Sequence, residues 1–580
     1  MNLPSPPFND IDRQFAGLIT QLSNDSENQS LFWAAALVSH QTLGLRNSCL
    51  DLAAVAGKRI IDLFDFTEPG QTTAADAVLP ELAVWESNIR NVDTVGEPGE
   101  FKPLILDDQH RLFLYKYWLY EYQLAQIVKN RLNLPETLID ATLQESIDGL
   151  FPISGTGPDL QREAAMTALK KPFCVISGGP GTGKTYTVTS ILALLLTANP
   201  DLGIVLCAPT GKAAARLQES VRRAKDRLNI LPDTLLNRIP EEASTIHRLL
   251  NVHGRDAKMP SLIVDAIVVD EASMVSISLM SRLLQAAGDH TRIILLGDKN
   301  QLASVEAGAV LGDICQASEK MPSLKSSVVE LTHSYRFEEA REVGRASVLI
   351  NRGEAEPCLE LLSSDEWQGT SRKDLTKPED LYRRLTPLVE KQINPIFDSK
   401  TVTAAFEQLE RFKILCAHRF GPFGVQTVNH LIEMLLVNQG RARGEAAYYQ
   451  GKPIVIKQND YTIQLYNGDT GIIWNDAGGR LRAFFPGSDG DFRNLHPGRL
   501  PQHEAAYALT VHESQGSEFD EVLVILGDRI SPLFSRELLY TAVTRARHRF
   551  EIWGDRSLVS FAINNKARRL SGLADKLTTP

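Results

Sequence analysis

Phe173-Cys-Val-Ile-Ser-Gly-Gly-Pro-Gly-Thr-Gly-Lys-Thr185 decides how the rest of this chain is read. Its first five residues are nearly all apolar, as a strand buried on both faces requires. The next eight match the P-loop pattern in full and lead into a helical stretch over residues 185–198, the context that gives the pattern meaning. Glycines are needed because a side chain would hold the backbone N–H groups away from phosphate oxygens, and the helix N-terminus adds partial positive charge. Gly178, Gly179, Pro180, Gly181, Thr182, Gly183, Lys184 and Thr185 are therefore the expected nucleotide-binding set. Lys184 is placed to reach the β- and γ-phosphates of ATP, and Thr185 to hold Mg²⁺ through its hydroxyl.

Outward from the loop, Gly203-Ile-Val-Leu-Cys-Ala208, Ala266-Ile-Val-Val-Asp270 and Arg292-Ile-Ile-Leu-Leu296 alternate with helical stretches, the pattern of a parallel sheet covered by helices. Phe412-Lys-Ile-Leu-Cys-Ala417, Glu521-Val-Leu-Val-Ile-Leu526 and Phe550-Glu-Ile-Trp553 repeat it. The expectation is an α/β chain with two lobes, residues 151–330, and 331–450 together with 501–580. A small β insertion, rich in Gly, Asn and Asp, falls at 451–500, and residues 338–411 look helical and charged. Residues 1–150 carry no chemical motif and predict a mainly helical N-terminal domain. Its stretch 112–132 is dense in aromatics (Phe113, Tyr115, Tyr117, Trp118, Tyr120, Tyr122), which suits an ordinary core helix or a partner-docking surface.

Composition narrows the class. With 580 residues, 43% hydrophobic and 23% charged, the chain is neither disordered nor collagen-like. Lys and Arg number 61 against 71 Asp and Glu, a net charge of −10, so nucleic acid would be held by local patches rather than by a global field. The best apolar run, residues 191–198, is far short of the ~20 residues of a membrane span. The N-terminus lacks the signal-peptide pattern. Six dispersed cysteines with no Cys-x-x-Cys pair point to a reducing compartment, the cytoplasm, and away from structural zinc.

Asp270-Glu271 closes a strand. There an Asp can join the Mg²⁺ shell and a Glu can orient or deprotonate the attacking water, so hydrolysis is expected and not binding alone. Gln301, in Gly297-Asp-Lys-Asn-Gln-Leu302, follows another strand and can report on a γ-phosphate. Arg336 and Arg545, read as belonging to the second lobe, are expected to neutralise transition-state charge from across the cleft. Closing on ATP and opening on hydrolysis would then be a mechanical stroke. Lys212, Arg216, Arg222, Arg223, Lys225 and Arg227 outnumber two acids across residues 209–228. Positions 212, 216, 223 and 227 share one helical face, a stripe suited to a phosphate backbone or simply to solvent. Tyr335 and Phe337 are candidate base-stacking rings, or core residues.

These motifs resemble those of superfamily 1 DNA helicases and, more narrowly, the alpha-subunit family of exodeoxyribonuclease V, the smaller motor of the RecBCD complex. The P-loop carries the likeness together with Ala208-Pro-Thr-Gly-Lys-Ala-Ala-Ala-Arg-Leu217, Ser244-Thr-Ile-His-Arg-Leu-Leu250, Val269-Asp-Glu-Ala-Ser-Met274 and Ser334-Tyr-Arg-Phe337. The second lobe adds Leu415-Cys-Ala-His-Arg-Phe-Gly-Pro-Phe-Gly424, Thr510-Val-His-Glu-Ser-Gln-Gly-Ser-Glu-Phe-Asp520 and Arg536-Glu-Leu-Leu-Tyr-Thr-Ala-Val-Thr-Arg-Ala-Arg547. The resemblance implies two RecA-like lobes and an SH3-like insertion. It implies a motor tracking 5′→3′ on single-stranded DNA from duplex ends, in a heterotrimer with RecB-like and RecC-like subunits, in recombinational repair. By the same resemblance Gln161 reads adenine, Gln301 senses the γ-phosphate, Arg336 and Arg545 are fingers, and Glu518 lies near the nucleotide. Pro209, Thr210, Thr245, His247, Thr510 and His512 would line the DNA path, joined by Lys212 and Arg216 of the stripe.

Where the family commonly has Lys, this chain has Glu513, which on a phosphate track would weaken DNA contact. Residues 252–260 stand where related motors carry a strand-separating hairpin and are short. No nuclease carboxylate cluster is apparent. A stand-alone 5′→3′ helicase and a regulatory ATPase subunit are the competing readings.

Overall fold

The structure, a computed structural model, describes residues 8–64, 77–152, 159–226, 228, 232–250, 261–338, 340–363, 369–442, 447–460, 462–487, 491–531 and 533–579. Residues 252–260 and Arg227 fall outside them.

The P-loop strand Phe173–Gly178 is buried along its whole length, because parallel strands lie on both sides and helices cover both faces. In space the first sheet runs Val328–Leu331, Phe173–Gly178, Arg292–Gly297, Ala266–Val269, Ile204–Ala208, Ala243–Thr245, all parallel. Helix Lys184–Ala198 packs Val188, Ile191 and Leu195 on one face. The second sheet is also wholly parallel: Thr370–Lys373, Ala546–Trp553, Phe519–Ile525, Phe412–Cys416, Ala508–Thr510. Two three-layer α/β lobes result, as expected.

The insertion is a five-stranded antiparallel sheet in the order Phe492–Leu495, Leu481–Pro486, Thr470–Asn475, Pro453–Ile456, His503–Ala505. It therefore ends at Ala505 rather than at residue 500.

Boundaries at the front of the chain also shift. The N-terminal domain holds a four-stranded sheet among its helices, ordered Cys49–Asp51, Arg111–Leu114, Leu104–Leu106, Val95–Gly96. The aromatic stretch begins as the last of these in sequence and becomes helical only at Tyr115–Leu132. That helix is core: Leu124, Ala125 and Val128 pack into the first lobe with Phe173 and Leu283. Helix Ala141–Leu150 likewise puts Leu143, Ile147 and Leu150 into first-lobe packing, so this lobe begins before residue 151.

The C-terminal tail leaves the second lobe after helix Arg556–Asn564 and lies against the N-terminal domain. Ser48 N donates to Leu570 O (2.9 Å), Leu570 N to Asn47 Oδ1 (2.8 Å), and Lys576 Nζ to the fully buried Glu121 (2.7 Å). Among the described residues no helix is long and apolar enough to cross a membrane. All six cysteines are buried and free.

Candidate nucleotide cleft and nucleic-acid path

The cradle is built by strand geometry. Gly178 ends its strand, and Gly181 and Gly183 take left-handed backbone (φ +73° and +82°) that L side chains adopt at a cost. A Cβ on Gly181 would also strike Arg336. Lys184 Nζ bridges Gly178 O (2.6 Å) and Gly179 O (3.0 Å), and Gln161 Nε2 donates to Thr182 O (3.1 Å). Both residues expected at the nucleotide thus sit on the loop itself.

Asp270 follows strand Ala266–Val269 and Asp298 follows strand Arg292–Gly297, at the same sheet edge as the loop. Burial raises the Asp270 carboxyl above its usual range, and the adjacent Glu271 adds to this. Glu271 itself has φ +50°, left-handed for a residue with a long side chain, which marks a strained position. Asp298, also raised by burial, accepts from Gln301 Nε2 (3.1 Å) and from Tyr540 Oη of the second lobe (3.0 Å). Gln301 Oε1 is buried without a partner among the described residues.

Residues 332–337 correct one expectation. They follow Val328–Leu331, the edge strand of the first sheet, so Arg336 comes from the crossover and not from the second lobe. Tyr335 N donates to Gly181 O (3.0 Å) and Ser334 Oγ to Pro180 O (2.8 Å), which pins Arg336 beneath the loop. Tyr335 is 53% exposed beside the cradle, so it is not core. Phe337 packs against the second lobe's core.

Arg545, just ahead of strand Ala546–Trp553, is the second lobe's own contribution. It is buried, its Nε donates to Thr541 O (3.1 Å) and its Nη1 to Ser517 O (3.2 Å), and it feels the charges of Glu271 and Glu518. Glu518 pairs with Arg336 (2.7 Å) and with Arg216. Burial alone would raise the Glu518 carboxyl, but Arg216 and Arg336 overcome it and hold it at about 2. Arg336 Nη1 remains buried with no partner among the described residues.

Sequence reasoning missed a clamp between the lobes. Leu302 N donates to Thr541 Oγ1 (2.9 Å), and Leu302 O accepts from Gln515 Nε2 (2.9 Å). Both bonds grip the segment just after Gln301. Gln515 and Thr541 lay inside recognised motifs, but their contact with a first-lobe backbone has no sequence signal.

The basic stripe is not a free phosphate track. Arg216 turns into the cleft to Glu518 and Gly516 O (2.8 Å), Arg223 pairs with Glu219, and Arg222 and Lys225 pair with Glu241. Lys212 is pushed down to about 8 by burial, with Asp469 of the insertion opposing the shift. The helix Gly211–Lys225 instead buries Ala214, Leu217 and Val221 as core. Pro209 and Thr210 follow strand Ile204–Ala208, with Thr210 capping this helix by accepting from Ala213 N (3.2 Å). Thr245 ends the adjacent strand Ala243–Thr245 and caps the turn that bears His247.

In the second lobe Thr510 ends strand Ala508–Thr510, and His512 lies two residues on. Glu513 does not face outward. Glu513 N donates to Thr510 Oγ1 (3.1 Å) while Thr510 N donates to Glu513 Oε2 (3.0 Å), a reciprocal capping box. The same carboxylate pairs with Lys457 of the insertion and with Arg419 (3.4 Å). The family's lysine would meet two cations here.

Two parallel-sheet lobes closed over a P-loop, two strand-end acids and convergent arginines define a superfamily 1 DNA helicase motor. Comparison with known proteins narrows the class. Family models match as "RecBCD enzyme subunit RecD, N-terminal domain" at residues 7–113, "AAA domain" at 161–307 and "UvrD-like helicase C-terminal domain" at 505–550. RecBCD enzyme subunit RecD of Mycolicibacterium smegmatis is 35% identical over 95% of this chain and 94% of its own. Its Haemophilus influenzae counterpart is 34% identical over 80% of each chain. The chain belongs to the RecD family. The ATP-dependent RecD2 DNA helicase of Deinococcus radiodurans is 34% identical, but over 65% of this chain and 46% of its own. Among solved structures, Bacteroides Pif1 bound to ssDNA aligns with 70% of this chain and 94% of its own, at 16% identity and a TM-score of 0.38.

Proposed function

We propose that this chain is the ATP-driven 5′→3′ single-stranded DNA motor of a RecBCD-like exodeoxyribonuclease V, working in the cytoplasm beside RecB-like and RecC-like subunits at duplex ends. The observation that carries the reading is Arg336 Nη1, buried beneath the P-loop without a partner among the described residues, with Arg545 feeling the charge of Glu271 from the second lobe. Arg336 already pairs with Glu518 through its other terminal nitrogen, so the free Nη1 is a charged donor held ready for a further anion, and a transferring phosphoryl group is that anion. Polarity and partners rest on the family resemblance. The N-terminal match to RecD, and the smaller overlap with RecD2, favour a subunit over a stand-alone helicase.

Lys184 would release its two loop carbonyls to meet the β- and γ-phosphates. Glu271, held in its left-handed backbone, would orient and deprotonate the attacking water. Arg336 and Arg545 would stabilise the charge that develops, and Gln301 would report whether the γ-phosphate is present. Tyr335 and Gln161 offer a ring face and an amide for the adenine. The donor set suits magnesium: a hydroxyl at a helix N-terminus and a carboxylate whose proton affinity is raised by desolvation and by the neighbouring Glu271. Thr185 and Asp270 would hold the ion, which would supply positive charge to offset that of the phosphates. Stroke and hydrolysis would be coupled where Thr541 and Gln515 grip Leu302. Pro209, Thr210, Thr245, His247, Thr510 and His512 remain the proposed strand contacts. Lys212 and Arg216 are withdrawn from that set, since one is covered by the insertion and the other serves the cleft.

A strand-displacement assay on 5′- and 3′-tailed duplexes, with this chain alone and with its partner subunits, tests the reading. Unwinding from 5′ tails that requires ATP supports it; unwinding that persists in Lys184→Gln, with no other motor present, overturns it.

A further inference from the structure

The sequence run Arg419-Phe-Gly-Pro-Phe-Gly424 has no role in the ATP cycle described above, yet it is built with care. It follows strand Phe412–Cys416 and leads into helix Val425–Asn438. Gly421 takes φ +92°, Gly424 N donates to Gly421 O (3.0 Å), Val425 N to His418 O (3.0 Å), and Thr427 Oγ1 to Gly421 O (2.8 Å). The two phenylalanines of this fixed turn do opposite things. Phe423 is 3% exposed and anchors the turn in the core, whereas Phe420 is 65% exposed at the mouth of a cavity. The cavity, ≈ 220 Å³, lies between this turn and residues 527–531, which follow strand Phe519–Ile525. Sites that enclose a whole small-molecule ligand run to roughly 300–1,000 Å³. This one has room for a single ring system.

Its position says which ring. Strands Phe412–Cys416, Phe519–Ile525 and Ala508–Thr510 are neighbours, with Cys416 in register with both Ile525 and Thr510. The cavity, Thr510 and the turn bearing His512 therefore share one carboxyl edge, where open parallel sheets bind ligands. Resting on the single-stranded DNA reading of Thr510 and His512, we propose that the Phe420 cavity receives one base of the strand at the second-lobe end of its path, stacked on the Phe420 ring. A ring face takes any base, as a motor indifferent to sequence requires. The cavity also offers base edges hydrogen-bonding groups. Burial lowers the His418 imidazole below its ordinary value, so the neutral ring presents one donor and one acceptor, and Asp528 stands opposite. Arg529 is exposed on the rim, and Arg419 lies 5.8 Å from the Phe420 ring centroid.

The test uses the full chain and oligonucleotides carrying 2-aminopurine at successive positions, whose fluorescence falls on stacking. Wild type should quench at one defined position within the occluded stretch. Phe420→Ala should lose that signal and weaken single-stranded DNA binding by about 5- to 160-fold, the range for one base–aromatic stack. Phe420→Trp should keep both. Phe420 is exposed, so neither change disturbs the core. If Phe420→Ala keeps wild-type affinity and the same quenching profile while Thr510→Val weakens binding, the cavity holds no base and the proposal falls with the motor reading intact. If wild type itself does not bind single-stranded DNA, the motor reading fails and takes the proposal with it.

Discussion

The two lobes share one architecture and use it in opposite directions. In the first, everything of consequence stands at the carboxyl edge of the sheet: Gly178, Asp270, Asp298, Thr210 and Thr245 each end or follow a strand. In the second, Glu518 and Arg545 precede their strands and face the cleft from the amino edge, while Thr510 and the Phe420 turn stand at the carboxyl edge. Nucleotide chemistry and strand contact therefore coincide in one lobe and are separated by the length of a sheet in the other. A stiff five-stranded layer is what carries a change at one edge to the other.

The strongest way to break this comparison is Arg545→Ala. If the amino edge supplies transition-state charge, turnover of DNA-stimulated ATP hydrolysis should fall by about 10³- to 10⁵-fold, the worth of an arginine finger. Nucleotide affinity should change far less. Steady-state ATPase and a fluorescent-nucleotide titration read the two; a loss under tenfold would mean that the first lobe works alone.

Acid probes the same edge next. Glu518 is held at about 2, below its ordinary value, so its contribution is present above about 4.5 and is lost as the pH falls toward 2. That amounts to on the order of 3 kcal/mol of lobe closure. Glu518→Gln should flatten the acid limb of a thermal-melt pH series, and an unchanged limb would show that the arginines find other partners.

At the opposite edge, Glu513→Lys should lower stability by about 2–3 kcal/mol, because it breaks the capping box and sets an ammonium beside Lys457 and Arg419. Single-stranded DNA affinity at low salt should not rise. A gain in affinity would mean that the side chain swings out to the strand.

The smallest expected effect sharpens the link between lobes. Thr541→Val leaves Leu302 N without its acceptor, at about 1–2 kcal/mol. Hydrogen exchange at the Leu302 amide should quicken about tenfold while exchange in the strand Phe173–Gly178 stays as it was; equal rates would place the coupling elsewhere.

How much of this was legible depended on how local the chemistry is. The P-loop is eight consecutive residues after a long apolar strand, and Asp270-Glu271 ends another, so both could be read directly. The stripe on helix Gly211–Lys225 was misread because i, i+4 spacing shows a face but not what covers it. Arg216 is answered by Glu518 from the other lobe, and nothing near either residue announces the other. Thr541 and Gln515 bind a backbone N–H and a carbonyl, groups every residue carries. The strands Ala243–Thr245, Val328–Leu331, Thr370–Lys373 and Ala508–Thr510, and the N-terminal sheet, run to only two to four residues, too short for an alternating pattern to show. Arg336 was assigned to the wrong side for the same reason, since the strand before it went unseen.

The tail that lies on Ser48 and Glu121 closes a kinematic ring: N-terminal domain, first lobe, crossover, second lobe, and back. In a ring of linked bodies none can rotate without the others registering it. If the cleft opens in the proposed stroke, the strain would fall on Asn47, Ser48 and Lys576, which tie the tail to the N-terminal domain.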